Sequence, residues 1–333
     1  MLLRHAVSLD DTDTPLDLDD VPIPKVGSKE VLLRVRACGV CHTELDEIEG
    51  RVAPSILPIV LGHQVVGHVA ELGSDATRFQ EGDRVGVGWI YASTGASNEN
   101  LSPEFRATGR DANGGYAEFM TVPEDYAYPI PEAYSDEYAA PLLCAGAIGY
   151  RALKLTNLVD GQRLGLTGFG GSAHLVIQLA HGMFPHSEVY VFARDESVRA
   201  FARQLGAVWA GDTTDRAPQK LHAVIDTTPV WKPAVEAMKN LAPGGRLVIN
   251  AIRKVDTDKA CLQQLSYHED LWMEREIKTV ANITQHDIRD FLPLAAGIPL
   301  TPTIETYRLE DANIALAELK RGQIRGAKVL TIG

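Results

Sequence analysis

Cys41, His63 and Cys144 are residues of the types that hold a borderline-soft cation. Thiolate sulfur and imidazole nitrogen suit Zn²⁺, and three protein ligands with one open position are the arrangement of a catalytic ion. Taken singly, each has a plainer reading. A lone cysteine packs as a small hydrophobe, and a lone histidine as a hydrogen-bonded core or surface residue. Their separations are too long for a local zinc motif, so spacing alone leaves both readings open.

A second chemical feature is Gly168-Phe169-Gly170-Gly171-Ser172-Ala173, which fits G-x-G-x-x-G/A between a strand-like run and a helical one. The first glycine permits a tight turn, the second lets backbone approach a pyrophosphate, and the small third position packs helix on strand. The helix start then offers unpaired N–H groups to phosphate. After the next strand, Phe192 is followed by Ala193 and Arg194, with no acid before Asp195. An acid there would hold the ribose 2′-hydroxyl of NAD, whereas an arginine accommodates the 2′-phosphate of NADP. The expectation is NADP(H) over NAD(H). It fails if Arg194 is only a solvated charge or if Asp195 turns inward. Asn250, at the end of a later strand, joins the cofactor candidates.

The elements that must position these residues fall into two patterns. Up to about residue 90 the chain is β-rich: Val31–Ala37 alternates like a half-buried strand, Val65–Gly73 reads as another, and Gly82–Val87 is turn then strand. Residues 91–115 are polar and predicted as a loop. From about 140, strands at 163–167, 189–193, 223–226 and 246–250 alternate with helices at 173–181, from 194 through 204 and at 232–240. Such alternation implies a parallel sheet covered on both faces and a doubly wound domain. A helix over Leu309–Arg321, with acids in its first turn and Gly322 as its stop, precedes a strand at 326–330.

Composition bounds the rest. With 333 residues the chain suits two domains, and four cysteines exclude a disulfide scaffold. A formal charge of −12 argues against nucleic acid or an anionic membrane as partner. No signal-peptide-like or membrane-spanning run is visible, so the expected compartment is the cytoplasm.

Five further words occur in order: Gly39-Val40-Cys41-His42-Thr43-Glu44-Leu45, Gly62-His63-Gln64-Val65-Val66-Gly67, Gly82-Asp83-Arg84-Val85, Gly114-Gly115-Tyr116-Ala117-Glu118 and Cys144-Ala145-Gly146. Together they resemble the zinc-dependent alcohol dehydrogenases of the medium-chain dehydrogenase/reductase superfamily, in the bacterial cinnamyl-alcohol-dehydrogenase-like branch. The resemblance implies an α/β fold: a GroES-like β-rich catalytic domain, residues 1–140 and 285–333, and a Rossmann nucleotide-binding domain, residues 141–284. It also implies that Cys41, His63 and Cys144 ligate zinc. Thr43 would bond the substrate oxygen and begin a proton relay, and His42 would lie near the cofactor phosphates or ribose.

Four departures from the family pattern matter. Glu44 and Gln64 stand where the family usually has Asp and Glu. Glu44 keeps the charge one methylene further out and can still support the ligands, whereas Gln64 removes a carboxylate near the metal. Asp46 stands at the relay histidine's place, so the proton passes to Asp46 or the relay ends in water. Many relatives carry four cysteines for a structural zinc in the loop, but this loop has none and Ser102 occupies the last position. One zinc per chain is therefore expected. Cys38 and Cys261 read as packing or free thiols, and Trp89 and Phe105 as possible walls of an apolar substrate cleft.

The implied function is reversible hydride transfer between a small alcohol and its aldehyde or ketone, with a nicotinamide cofactor, by a homodimer or homotetramer. The rival readings are a metal-free enone or quinone reductase of the same superfamily and a nucleotide-binding protein without turnover. The three candidate metal ligands argue against both.

Overall fold

The computed structural model describes every residue from Met1 to Gly333. The chain divides into two compact units: Met1–Ala147 with Ile283–Ala296 and Pro302–Gly333, and Ile148–Asn282 with Gly297–Thr301.

The first unit is built on strand β1 (Glu30–Val40), whose Val31, Leu33, Val35 and Cys38 are buried. Helix α1 (His42–Ile48) follows immediately, then β2 (Gln64–Leu72), β3 (Arg84–Val87), β4 (Phe119–Pro123) and β5 (Ala127–Pro129). The run β1–β2–β3–β5 is antiparallel, and β4 pairs antiparallel with β1.

Helix α2 (Ala145–Leu155) leads into the second unit. There β6 (Arg163–Thr167), α3 (Ala173–Met183), β7 (Glu188–Phe192), α4 (Glu196–Gln204), β8 (Trp209–Gly211), β9 (Leu221–Asp226), α5 (Trp231–Met238), β10 (Leu241–Ile249) and β11 (Glu276–Thr279) follow in turn. The sheet is entirely parallel, in the order β8-β7-β6-β9-β10-β11. Strand order reverses between β6 and β9, which marks the doubly wound fold and its ligand-binding crevice at the carboxyl ends of the strands.

The chain then forms α6 (Gln285–Gly297), β12 (Ile304–Arg308), α7 (Ala312–Lys320) and β13 (Ala327–Thr331). Strand β13 pairs antiparallel with β1 and completes a seven-stranded sheet. The C-terminal helix differs from the sequence reading, because Leu309–Asp311 is a 3₁₀ turn and α7 starts only at Ala312. The first unit runs on past residue 140 to Ala147. Leu142 and Leu143 are fully buried, and any side chain at Gly146 would strike the ring of Phe291.

The 91–115 segment is more ordered than a plain loop. It contains a 3₁₀ turn at Glu99–Leu101, and the short strands Ile90–Ala92 and Arg106–Ala107 pair across it. Its hub is Glu99, whose fully buried carboxylate accepts hydrogen bonds from the Tyr126 hydroxyl (2.8 Å), Gly95 N–H (3.0 Å) and Gln285 N–H (2.6 Å). One carboxylate thus ties the loop to β4–β5 and to α6. Removing it strands three donors, two of them buried, and each buried one costs about 1–3 kcal/mol. Glu99→Ala is expected to lower unfolding stability by about 3 kcal/mol or more. Urea titration would show it, and an unchanged midpoint would remove Glu99 from this role.

Candidate active site

The register of β1 on β2 sets Gly39 opposite Gln64. The residues just beyond those strand ends, Cys41 and His63, therefore meet. Two glycines make the meeting possible. A Cβ at Gly39 would collide with the Gln64 side chain, and one at Gly62, where φ is +96°, would collide with the edge of the Tyr116 ring. Cys144 arrives on the 3₁₀ turn Ala140–Leu143. Leu143 fits against β3 because Gly86 has no side chain to displace it.

The three donor atoms converge. His63 Nε2 lies 3.7 Å from Cys41 Sγ and 3.3 Å from Cys144 Sγ, and all three atoms fall within 4.8 Å of one another. A tetrahedral ion with Zn–S near 2.3 Å and Zn–N near 2.0–2.1 Å would hold S and N about 3.5 Å apart, so the donor set fits zinc. Cys38, three residues before Cys41, is outside the cluster and buried in the core of the first unit.

Glu44 joins two of these residues. Its Oε2 accepts the Cys41 N–H at 2.9 Å while Cys41 Sγ accepts the Thr43 N–H at 3.4 Å, so a cysteine serves as the N-cap of α1. Its Oε1 lies 2.7 Å from His63 Nδ1, although the ring N–H is not aimed straight at it. That contact leaves Nε2 facing the sulfurs, the arrangement in which a carboxylate orients a ligating histidine. Burial opposes charge on His63, but Glu44 and Cys41 outweigh it and hold its pKa well above the usual imidazole value. The hydrogen bond that the Cys41 thiol donates to Cys144, and then burial, push that thiol well up. Two thiols and an imidazole in this setting want a cation.

Around the cluster, Thr43 is nearly buried and His42 is exposed. Gln64 is buried with its amide nitrogen unpaired. Asp46 is also buried, and its Oδ1 is held 2.6 Å from the Arg51 guanidinium. The Trp89 ring centre is 6.1 Å from that of His63 and 5.5 Å from that of Phe105, giving an aromatic wall beside the donors. Sequence reasoning missed Glu47. It is fully buried, neither oxygen has a hydrogen-bond partner, and burial followed by Glu44 raises its carboxyl well above the usual range. Its spacing of three from Glu44 on a helix was the available signal.

In the second unit, Gly168 has φ +74°, and a Cβ there would meet Thr227 and Thr228. Gly170 faces open space. Phe169 and Ala173 are buried, Gly171 and Ser172 half-buried, and no side chain caps the start of α3. This is an anion-ready helix terminus. His174 Nδ1 donates to the Gly170 carbonyl at 3.2 Å and fixes the turn from beneath.

At the end of β7, Ala193 is buried while Arg194 and Asp195 are exposed. Arg199, also missed, donates to the carbonyls of Ala193 and Arg194, both at 2.7 Å, and holds that turn. The Asn250 N–H donates to the Asp226 carbonyl at 2.7 Å.

Burial pulls His174 down to about 4 from 6.5. A base with a lowered folded pKa keeps full stability above pH 6.5 and loses it as pH falls toward 4, here by about 3 kcal/mol. His174→Gln is expected to flatten the stability-versus-pH slope across that window. Parallel slopes for the two proteins in urea melts would remove His174 from this account.

Residues 27–132 match the alcohol dehydrogenase GroES-like domain. A probable alcohol dehydrogenase, AdhA, of Mycobacterium tuberculosis is 42% identical over 96% of this chain and 93% of its own length. An alcohol dehydrogenase of Geobacillus stearothermophilus is 33% identical, with 96% of each chain covered. Among solved structures, a cinnamyl alcohol dehydrogenase of Sorghum bicolor superposes with a TM-score of 0.79 at 25% identity, covering 93% of this chain and 92% of its own.

Proposed function

The chain belongs to the zinc-dependent alcohol dehydrogenases of the medium-chain dehydrogenase/reductase superfamily, and on that premise we propose a single catalytic zinc, NADP(H) as preferred cofactor and an alcohol with an apolar or aromatic substituent as substrate. It is an oxidoreductase acting on CH–OH groups, interconverting an alcohol and its aldehyde or ketone with a nicotinamide cofactor. The convergence of Cys41, His63 and Cys144 carries the metal-dependent reading over the metal-free reductase and the non-catalytic binder.

Cys41, His63 and Cys144 hold the ion, and Glu44 keeps His63 in the ligating orientation. When bound, zinc supplies Lewis acidity toward the substrate oxygen. The Thr43 hydroxyl takes the hydrogen bond to that oxygen and passes its proton on. Because Arg51 already engages Asp46, a relay ending in water is favoured over one ending in Asp46. Trp89 and Phe105 receive the apolar part of the substrate. The Gly168–Ala173 turn takes the pyrophosphate, and the family resemblance assigns His42 to the cofactor phosphates or ribose. Exposed Arg194, on a turn braced by Arg199, suits a 2′-phosphate better than Asp195, which caps nothing with its side chain.

The deciding experiment is a panel of aliphatic and aromatic alcohols and aldehydes assayed with both cofactors. Turnover is expected to vanish on chelation, return with Zn²⁺, run faster with NADP(H), and accompany one zinc per chain. Full activity after metal removal, two zinc ions per chain or a strong NAD(H) preference would each refute the corresponding part.

A homodimer or homotetramer completes the proposal, with β11 as the seam. All four residues of that edge strand are exposed, and Trp272 and Met273 just before it are each 51% exposed. An open parallel edge flanked by apolar side chains invites pairing with a second copy. Trp272→Glu is expected to shift the protein toward monomer in light scattering. An unchanged mass would place the interface elsewhere.

No helix is long and apolar enough to cross a membrane. The cytoplasm, whose reducing conditions keep thiols unbridged, suits the four free cysteines.

A further inference from the structure

Strand β9 ends in Asp226, whose carboxylate is fully buried. It accepts hydrogen bonds from the hydroxyls of Thr167 (2.6 Å), at the end of β6, and Thr228 (2.8 Å). It is also paired with Lys254, which lies on the loop after β10. Lys254 Nζ donates as well to the carbonyls of Thr228 and Val230, both at 2.8 Å. Two neighbouring contacts extend the clasp. Val255 N–H donates to the Pro229 carbonyl at 2.7 Å, and Asp258 accepts the N–H groups of Trp231 (3.0 Å) and Lys232 (2.8 Å), which start α5. Thr227 and Thr228 in turn fill the space beside Gly168. The loops that follow three strands, β6, β9 and β10, are thus tied together at one ion pair.

Their position in the sheet gives the clasp a purpose. In a doubly wound sheet the dinucleotide lies across the carboxyl ends of the strands at the point where their order reverses. An adenosine half over the β6–β7 side would put the nicotinamide half over β9 and β10. Asn250, whose backbone is bonded to Asp226, carries a buried side-chain amide nitrogen without a partner.

We propose that the Lys254–Asp226 pair is a positioning device for the nicotinamide half of the cofactor, holding the β9 and β10 loops so that the Asn250 amide can donate to it. The proposal rests on the nucleotide-binding reading above. Burying a lone charge is expensive, so neither partner is useful without the other.

The test compares NADPH, by nicotinamide fluorescence, with 2′-phospho-ADP-ribose, by calorimetry, on wild type and Lys254→Met at matched zinc content. Lys254→Met is expected to weaken NADPH at least tenfold and leave the ribose fragment within twofold. Because an unpaired Asp226 can unfold the protein, the double variant Asp226→Asn/Lys254→Met carries the same comparison. Equal loss on both ligands means a general structural role, and no loss on either means no role; both overturn the proposal. Wild type binding neither NADPH nor the fragment would instead overturn the nucleotide-binding reading itself.

Discussion

Burial makes the Cys41–His63–Cys144 cluster demanding, and much of the first unit answers that demand. Sulfur and nitrogen donors brought within hydrogen-bonding distance with little water cannot all carry their charges unaided. The register of β1 on β2, the glycines at 39 and 62 and the seat for Leu143 on β3 bring the donors together. Glu44 then uses one oxygen to start a helix and the other to orient a histidine. A side chain that serves helix capping and ligand orientation at once couples local folding to the quality of the site.

The second unit solves a different problem. It presents backbone rather than side chains to an anion, so its requirements are conformational: a positive φ at Gly168, open space at Gly170 and an uncapped helix. Neutral His174 beneath the turn fits that design. It fixes a carbonyl without adding a charge that would vary with pH near neutrality.

Much of this was legible in the sequence, and the legible part shares a physical character. Alternation between strand and helix periods marked the doubly wound domain, and β6 was located residue for residue because glycine and polar residues bracket a short apolar run. Cys41, His63 and Cys144 stood out only through the five ordered words around them, since their separations carry no local zinc motif. The missed features are tertiary. Glu99 looked like a solvated loop acid, yet its partners are Tyr126 and Gln285, distant in sequence. Glu47 and Lys254 sit among ordinary surface-like charges in the sequence, and only packing reveals that each is enclosed. The C-terminal helix was placed three residues early because acids at 310 and 311 suit a first turn, whereas here they tighten into a 3₁₀ lead-in.

The carboxylate hub at Glu99 also bears on how such a protein ages. A loop clasped by thiolates around a metal loosens whenever oxidants or metal scarcity reach it. A loop clasped by oxygen and nitrogen offers nothing to oxidise and nothing to extract. The shape of this loop is thus independent of the Cys41–His63–Cys144 cluster: the clasp at Glu99 uses none of that cluster's donors.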